Sequence, residues 1–196
     1  MTDAPSADLL ARFAALVGDR NALTAASDVA PHLVEWRDLY QGRTPMVLKP
    51  GSTAEVAAIL TLAHETGTVI VPQGGNTGLV GGQTPDASGH EIVLSLTRMN
   101  RIREIDLAGN TATVEAGVVL ERFHEAVSAA GRFYPVTLGA RGSCEIGGNI
   151  STTPAARRCS PTATPVRRCS ASRWCWLTAG SGTASGACTR TTAATT

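Results

Sequence analysis

The 196-residue sequence predicts an α+β fold, and three features of its patterning carry that expectation. A strand, a capped helix and a β-branched strand follow one another between Met46 and Val71. Two further extended stretches and a second helix follow between Ile92 and Gly131. Glycine-rich segments succeed both blocks, at 72–82 and 138–149, where loops leave ordered elements. Hydrophobic residues make up 43% of the chain and charged residues 17%, the balance of a protein that buries a core.

Taken in order, Leu9, Leu10, Phe13, Leu16 and Val17 recur at helical spacing with Gly18 as a stop, so residues 7–17 read as an amphipathic helix. The stretch Ala22–Thr44 is mixed and reads as an irregular connection, with Trp36, Arg37 and Tyr40 covering a domain edge. Met46-Val47-Leu48 is a short strand and Pro50-Gly51 a turn. Ser52-x-x-Glu55 is a capping box starting a helix that runs to about Glu65. Val56, Ile59, Leu60 and Ala63 give that helix an apolar face, and Gly67 ends it. Val69-Ile70-Val71 is a run of the kind buried in a sheet. Ile92–Leu96 and Thr111–Val118 read as strands, with a polar turn at Ala108-Gly109-Asn110. A second helix runs from near Leu120 to Gly131, with Phe123 and Val127 inward and His124 exposed beside Glu121 and Glu125.

The formal net charge of +1 produces no long-range field for nucleic acid or an anionic membrane, so a small-molecule ligand is expected and nucleic acid is not. No run of about 18 apolar residues offers a membrane span, and the polar N-terminus is unlike a secretory signal, which makes the cytoplasm the default compartment. Cys144 stands alone, while Cys159, Cys169, Cys175 and Cys188 fall in the last part of the chain. Their spacing and the lack of acidic residues beyond Glu145 argue against zinc. Cys144 reads as a small packed residue, and His32, His64, His90 and His124 as solvated rather than catalytic.

The first glycine-rich segment, Pro72-Gln73-Gly74-Gly75-Asn76-Thr77-Gly78-Leu79-Val80-Gly81-Gly82, has five glycines in eleven residues directly after a strand. Removing side chains there lets successive N–H groups meet a ligand, and the pattern fits a pyrophosphate cradle without a lysine, with Asn76 and Thr77 adding side-chain donors. Neither a Walker loop nor the Rossmann G-x-G-x-x-G spacing is present. A flexible surface loop is the plainer alternative. The second segment, Leu138 to Ser151, repeats the small residues and exposed amides, so two loops could clamp the ends of an elongated dinucleotide.

Residues 72–82, followed by Cys-Glu-Ile-Gly-Gly-Asn-Ile-Ser-Thr at 144–152, closely resemble the FAD-linked oxidase family with the PCMH-type FAD-binding domain. Within it the likeness is nearest to D-lactate and D-2-hydroxyglutarate dehydrogenases, and it covers roughly residues 30–152. The resemblance implies an FAD-binding domain of two α/β lobes over residues 42–152, preceded by a helix and connection at 1–41. It implies that Gly74, Gly75, Asn76, Thr77 and Gly78 grip the FAD pyrophosphate and that Gly81, Gly82 and Gln83 complete the loop. Leu138, Gly139, Ser143, Gly147, Gly148, Asn149 and Ile150 would line the flavin side. Relatives that attach flavin covalently often carry a histidine in the first loop; Asn76 stands near that place, so the FAD is expected to be non-covalent. The implied chemistry is removal of hydride equivalents from a 2-hydroxyacid by the flavin.

From Thr153 onward there is no Asp, Glu or Lys, and six Arg and four Cys appear. Where the family continues Asn-Ala-Gly-Gly, this chain reads Thr153-Pro154-Ala155-Ala156, which is what loss of one A from AAC GCC GGC GGC would yield. Residues 153–196 are therefore expected to be an irregular, out-of-frame tail that truncates the domain, with the metal- and substrate-binding part of the family absent and no catalytic residue assignable. Three readings stay open: an N-terminal fragment of a 2-hydroxyacid oxidoreductase with little turnover, a stand-alone FAD- or nucleotide-binding module, and a product that never folds stably. The oligomeric state is not legible.

Overall fold

The computed structural model describes residues 4–152 and, as backbone, two strands beyond them at Ser172–Cys175 and Ser181–Ala184. Helix α1, Ala7–Val17, has the bounds the leucine spacing predicts. Ser6 caps it, its Oγ accepting from the Leu9 N–H at 3.2 Å, and Gly18 ends it with φ 80°.

The connection after α1 is more ordered than its composition implies. It holds strand β1 (Ala22–Leu23) and a helical turn α2 (Ala26–Val29) between two 3-10 turns. A two-residue strand has no periodicity to read; β1 exists because it pairs antiparallel with strand β2, Val47–Leu48. Trp36 is 78% exposed and Arg37 is exposed too, so neither covers a domain edge. Of the three residues expected there, Tyr40 does make such a contact: a Cβ on Gly81 would sit 2.6 Å from its ring.

Ser52 starts helix α3, Thr53–Thr66, through its Oγ, which accepts from the Glu55 N–H at 3.2 Å. The reciprocal half of the box reaches one residue further back, where Glu55 Oε2 accepts from the Gly51 N–H at 2.9 Å. Gly67 closes the helix in the left-handed region at φ 66°. Ile59, Leu62 and Ala63 are its buried residues, at i, i+3 and i+4; Leu60, expected on that face, is half-buried beside them.

Strand β3, Ile70–Gln73, leads into the first glycine-rich segment, and β4, Ile92–Ser95, follows that segment. The sheet order is β1-β2-β4-β3, with β2, β4 and β3 mutually parallel. The expected β-α-β unit is thus split, because β4 inserts between the two strands that α3 connects. Pro72 is tolerated in β3 because that strand lies at the sheet edge. Alternation sorts the side chains: Leu48, Ile92 and Leu94 join Phe13 and Ile59 in the main core, while Val47 and Val93 pack with Val29 on the other face.

The polar turn at 108–110 joins β5, Ile102–Asp106, to β6, Thr111–Val114. Sequence patterning missed β5, since Arg103 and Glu104 interrupt its apolar alternation, and it overextended β6 toward Val118. Helix α4, Leu120–Ala129, buries Leu120, Phe123 and Val127. A last helix, α5, occupies Ile146–Thr152, where a loop was expected. Gly147-Gly148 disfavours a helix locally; Ile146 pays for it by packing into a second core with Val118, Phe123 and Cys144. The two cores correspond to the two lobes expected. The backbone strands β7 (Ser172–Cys175) and β8 (Ser181–Ala184) pair antiparallel; the rest of the segment expected to be an irregular tail lies outside the described residues.

Candidate functional site

Parallel β2, β4 and β3 end on the same side of their sheet, and loops leaving the carboxyl ends of such strands are where open α/β sheets bind ligands. The first glycine-rich segment leaves β3 there. Gln73, the last residue of β3, is 1% exposed and anchors the loop at both ends. Its Nε2 donates to the carbonyls of His32 (3.0 Å) and Gln83 (2.9 Å), and its Oε1 accepts from His32 Nδ1. Neither Gln73 nor His32 was expected to matter. The available signal was a polar amide at the inward position after Val71, and such a residue is buried only with partners.

Past Gln73 the backbone changes character. Among the described residues, no N–H from Gly74 to Gly82 donates to any acceptor. The side chains in this stretch mostly brace the loop. Asn76, at φ 51°, donates both amide hydrogens inward, to Pro31 O (3.1 Å) and Val34 O (2.8 Å). It therefore does not supply the side-chain donor expected of it, while its buried Oδ1 has no partner. Gln83 Nε2 donates to Gly78 O at 2.9 Å, crossing the loop beneath Leu79–Gly82. Thr77 is half-buried.

The structure brings the two glycine-rich segments into contact. A Cβ on Gly75 would lie 1.8 Å from the Ser143 carbonyl oxygen, and one on Gly74 would lie 3.1 Å from Glu145 Oε2. Only glycine permits that approach. In the second segment many of the N–H groups are used internally: Ser143 and Cys144 donate to Ala140 O, Ile146 to Val118 O, Gly147 to Ala116 O at 2.7 Å, and Asn149 to Glu145 O. Gly147 packs on Ala116, where a Cβ would meet the Ala116 Cβ at 2.7 Å. Leu138 and Ile150 are half-buried against the second core. Gly139 and Gly148 are exposed, with open space beside them among the described residues. Asn149 Nδ2 donates to the buried Cys144 thiol at 3.5 Å, in keeping with a packed cysteine.

Glu115 and Glu145, both buried, flank this region and are shifted in opposite directions. Burial pushes the Glu115 carboxyl up, but the Arg101 N–H and the Arg103 guanidinium, at 2.9 Å, outweigh it and hold the group below the usual carboxylate range. Glu145 is 4% exposed and its Oε2 has no partner among the described residues; burial pushes it up to about 7 against the opposing field of Lys49.

A cleft of ≈ 520 Å³ opens on the outer side of the first loop, bounded by Tyr40, Gly81, Gly82 and Thr84. It includes no residue of the second segment. His64 is exposed and His90 half-buried. His124 departs from its expected exposure: its Nε2 is buried without a partner and its ring lies 5.9 Å from that of Tyr134. Among the described residues no three His, Cys, Asp or Glu side chains gather as for a metal ion, and no helix is long and apolar enough to cross a membrane. Apart from the backbone of β7, the cysteines of the tail lie outside the described residues.

A family described as "FAD binding domain" matches residues 44–173, running past Thr152. The chain is 40% identical over 147 residues to a probable mitochondrial D-2-hydroxyglutarate dehydrogenase of Oryza sativa subsp. indica, covering 75% of this chain and 26% of that protein. It is 36% identical over 144 residues to a putative mitochondrial D-lactate dehydrogenase of Schizosaccharomyces pombe, covering 74% and 27%. The chain thus spans about a quarter of the length of the curated relatives it matches. Among solved structures, 4-ethylphenol oxidase from Gulosibacter chungangensis superposes with a TM-score of 0.70 at 24% identity, covering 93% of this chain and 36% of that one. An alkyldihydroxyacetonephosphate synthase gives 0.70 at 20%, covering 80% and 31%. At such identity these two show the fold alone.

Proposed function

The chain belongs to the FAD-linked oxidase family with the PCMH-type FAD-binding domain, and on that premise we propose that residues 42–152 hold FAD non-covalently within a flavin-dependent oxidoreductase acting on 2-hydroxyacids of the D-2-hydroxyglutarate or D-lactate type. The observation that supports the binding reading most is the run of N–H groups from Gly74 to Gly82 without an acceptor among the described residues. Donors of this kind suit a pyrophosphate, which needs several hydrogen bonds and no counter-charge fixed in one place. When bound, the flavin supplies hydride acceptance from the hydroxyacid.

The residues of this chain then have separable tasks. Gly74, Gly75, Asn76, Thr77 and Gly78 offer backbone donors, and Gly81 and Gly82 extend the run. Gln73, Gln83 and the Asn76 side chain hold the loop in shape before the ligand arrives, which lowers the ordering cost of binding. On the second segment, Gly148 and Gly139 have the open space a ring could approach, with Leu138, Ser143, Gly147, Asn149 and Ile150 as the frame behind them.

Titration of the apo chain with FAD, followed by flavin fluorescence and absorbance, tests this reading. One FAD per chain, released intact on denaturation, is the expected result; the absence of saturable binding overturns it. Anaerobic addition of D-lactate or D-2-hydroxyglutarate then separates the oxidoreductase from a cofactor-binding module: bleaching by either acid indicates turnover, and binding without bleaching indicates the module.

We also propose that residues 153–196 are read one base out of frame, on the strength of their composition and the Thr153-Pro154-Ala155-Ala156 string. The family match that continues to residue 173 in the present frame weighs against it. A DNA read across the codons for Ser151–Ala156 decides: an extra base restores Asn-Ala-Gly-Gly, and the present frame confirmed removes the proposal.

A further inference from the structure

Glu145 is the one buried carboxyl at the place where the two glycine-rich segments touch. It is 4% exposed, its Oε2 has no hydrogen-bond partner among the described residues, and that oxygen faces Gly74, the first residue of the unbonded N–H run. Its backbone is fixed from both sides. The carbonyl accepts from the Asn149 N–H at 3.0 Å, and the residue forms an isolated antiparallel bridge with Val119. The main chain therefore holds the carboxyl at the point where the loops meet. An ionised carboxylate in that position is poorly solvated at Oε2, and it stands beside the cradle proposed for a second negative charge.

We infer that Glu145 is a positioning residue that must carry a proton for the anionic part of FAD to dock in the 74–82 loop, so that cofactor binding takes up one proton from solvent at this carboxyl. The inference rests on the reading of that loop as the pyrophosphate site. The balance is simple: an ionised Glu145 plus a proton plus FAD gives neutral Glu145 with FAD bound, and no bond of the cofactor changes. Burial already places the group near neutrality at physiological pH, which makes the uptake measurable rather than latent. A phosphate close by raises the carboxyl's proton affinity further, because both charges share a poorly solvated space.

Other titratable groups are arranged around it. Lys49, at the end of β2, is the cation whose field reaches Glu145, and it opposes protonation. His32 is hydrogen-bonded to Gln73 at the end of β3, Cys144 precedes Glu145 in the chain, and Glu115 is engaged by Arg103. His32 is also an ionisable group at the base of the same loop, so the direction of a pH effect alone does not identify Glu145.

The experiment is FAD titration of the full chain and of its Glu145→Gln variant from pH 6 to 9, with calorimetry of the unaltered chain at pH 7.5 in two buffers of different ionisation enthalpy. The unaltered chain is expected to lose affinity with rising pH above neutrality, by up to about tenfold per pH unit. Glu145→Gln, a neutral isostere, is expected to flatten that dependence to within about threefold, and the buffer comparison to show between about half and one proton taken up per FAD. Binding with no proton uptake overturns the proposal without needing the variant, and so does an unchanged pH dependence in Glu145→Gln. Failure of FAD to bind at any pH overturns the pyrophosphate reading together with this one, a result distinct from pH-independent binding.

Discussion

The two glycine-rich segments have similar composition and use their backbones differently. In 74–82 the backbone donors have no acceptor among the described residues, and the side chains around them serve to keep the loop open. In 138–150 the N–H groups of Arg141, Ser143, Cys144, Ile146, Gly147 and Asn149 are taken up by turns, by the carbonyls of Ala116 and Val118, and at the start of helix α5, while those of Gly139, Ala140, Gly142 and Glu145 have no acceptor among the described residues. Glycine in the first segment exposes the main chain; in the second, at Gly147, it lets one main chain lie against another. A glycine count says that the backbone comes close to something, and the hydrogen bonds say whether that something is a ligand or the protein itself.

The strongest way to break this comparison is to fill the point where the segments touch. In Gly75→Ala the new methyl would stand 1.8 Å from the Ser143 carbonyl oxygen, a backbone atom that cannot rotate aside. One loop must move, and FAD affinity is expected to fall by at least about a hundredfold, on the order of the 2.7 kcal/mol that such overpacking imposes. Fluorescence titration reads the loss. Near-normal affinity would mean that the contact between loops has no part in holding the cofactor.

A second substitution probes the packing role in the other segment. Gly147→Ala sets a methyl 2.7 Å from the Ala116 Cβ, between α5 and the strand-to-helix link of the second lobe. A loss of about 1–3 kcal/mol in urea denaturation is expected, with FAD binding reduced only as far as the fold is. A large affinity loss at unchanged stability would move Gly147 into the ligand's contact set.

The buried glutamates sharpen the same contrast through pH. The folded state raises Glu145 from 4.5 to about 7, so between those values the unfolded chain has lost a proton that the folded chain keeps. Stability from this group is therefore undiminished below about pH 4.5, falls as pH rises toward 7, and stays low above. Glu145→Gln should be neutral at pH 4 and stabilising by on the order of 2 kcal/mol at pH 8. Glu115, held low by Arg101 and Arg103, has the opposite sign, with its contribution present above the unfolded carboxylate range and lost in acid. Denaturation midpoints of Glu145→Gln across this range check the first sign; a constant difference between pH 4 and 8 would show that Glu145 is solvated.

Local signals made much of this architecture readable. Helix α1 was bounded by leucine spacing and Gly18, α3 by the Ser52–Glu55 box and Gly67, and the inward positions of α4 by Phe123 and Val127. What escaped was set by tertiary contacts. β1 depends on the free edge of β2, β5 is obscured by Arg103 and Glu104, and α5 is a helix despite Gly147-Gly148 because Ile146 is buried. At the site, both loops were visible as glycine clusters and as a family pattern. Their mutual contact was not, nor were the hydrogen bonds between Gln73 and His32 or the burial of Glu145 against Gly74, because each depends on residues far away in sequence.

The smallest effect belongs to Gly148. It sits inside α5, is exposed, and a Cβ there would meet nothing within 4 Å among the described residues. If the second segment were only a packed frame, Gly148→Ala should stabilise the protein by about 0.5–1 kcal/mol through better helix propensity and leave FAD affinity unchanged. If the open space beside Gly148 is where the flavin ring approaches, the same substitution should raise stability and weaken FAD binding together. Measured side by side, a urea midpoint and an FAD titration distinguish the cases, since a glycine needed only for the fold cannot move those two quantities in opposite directions.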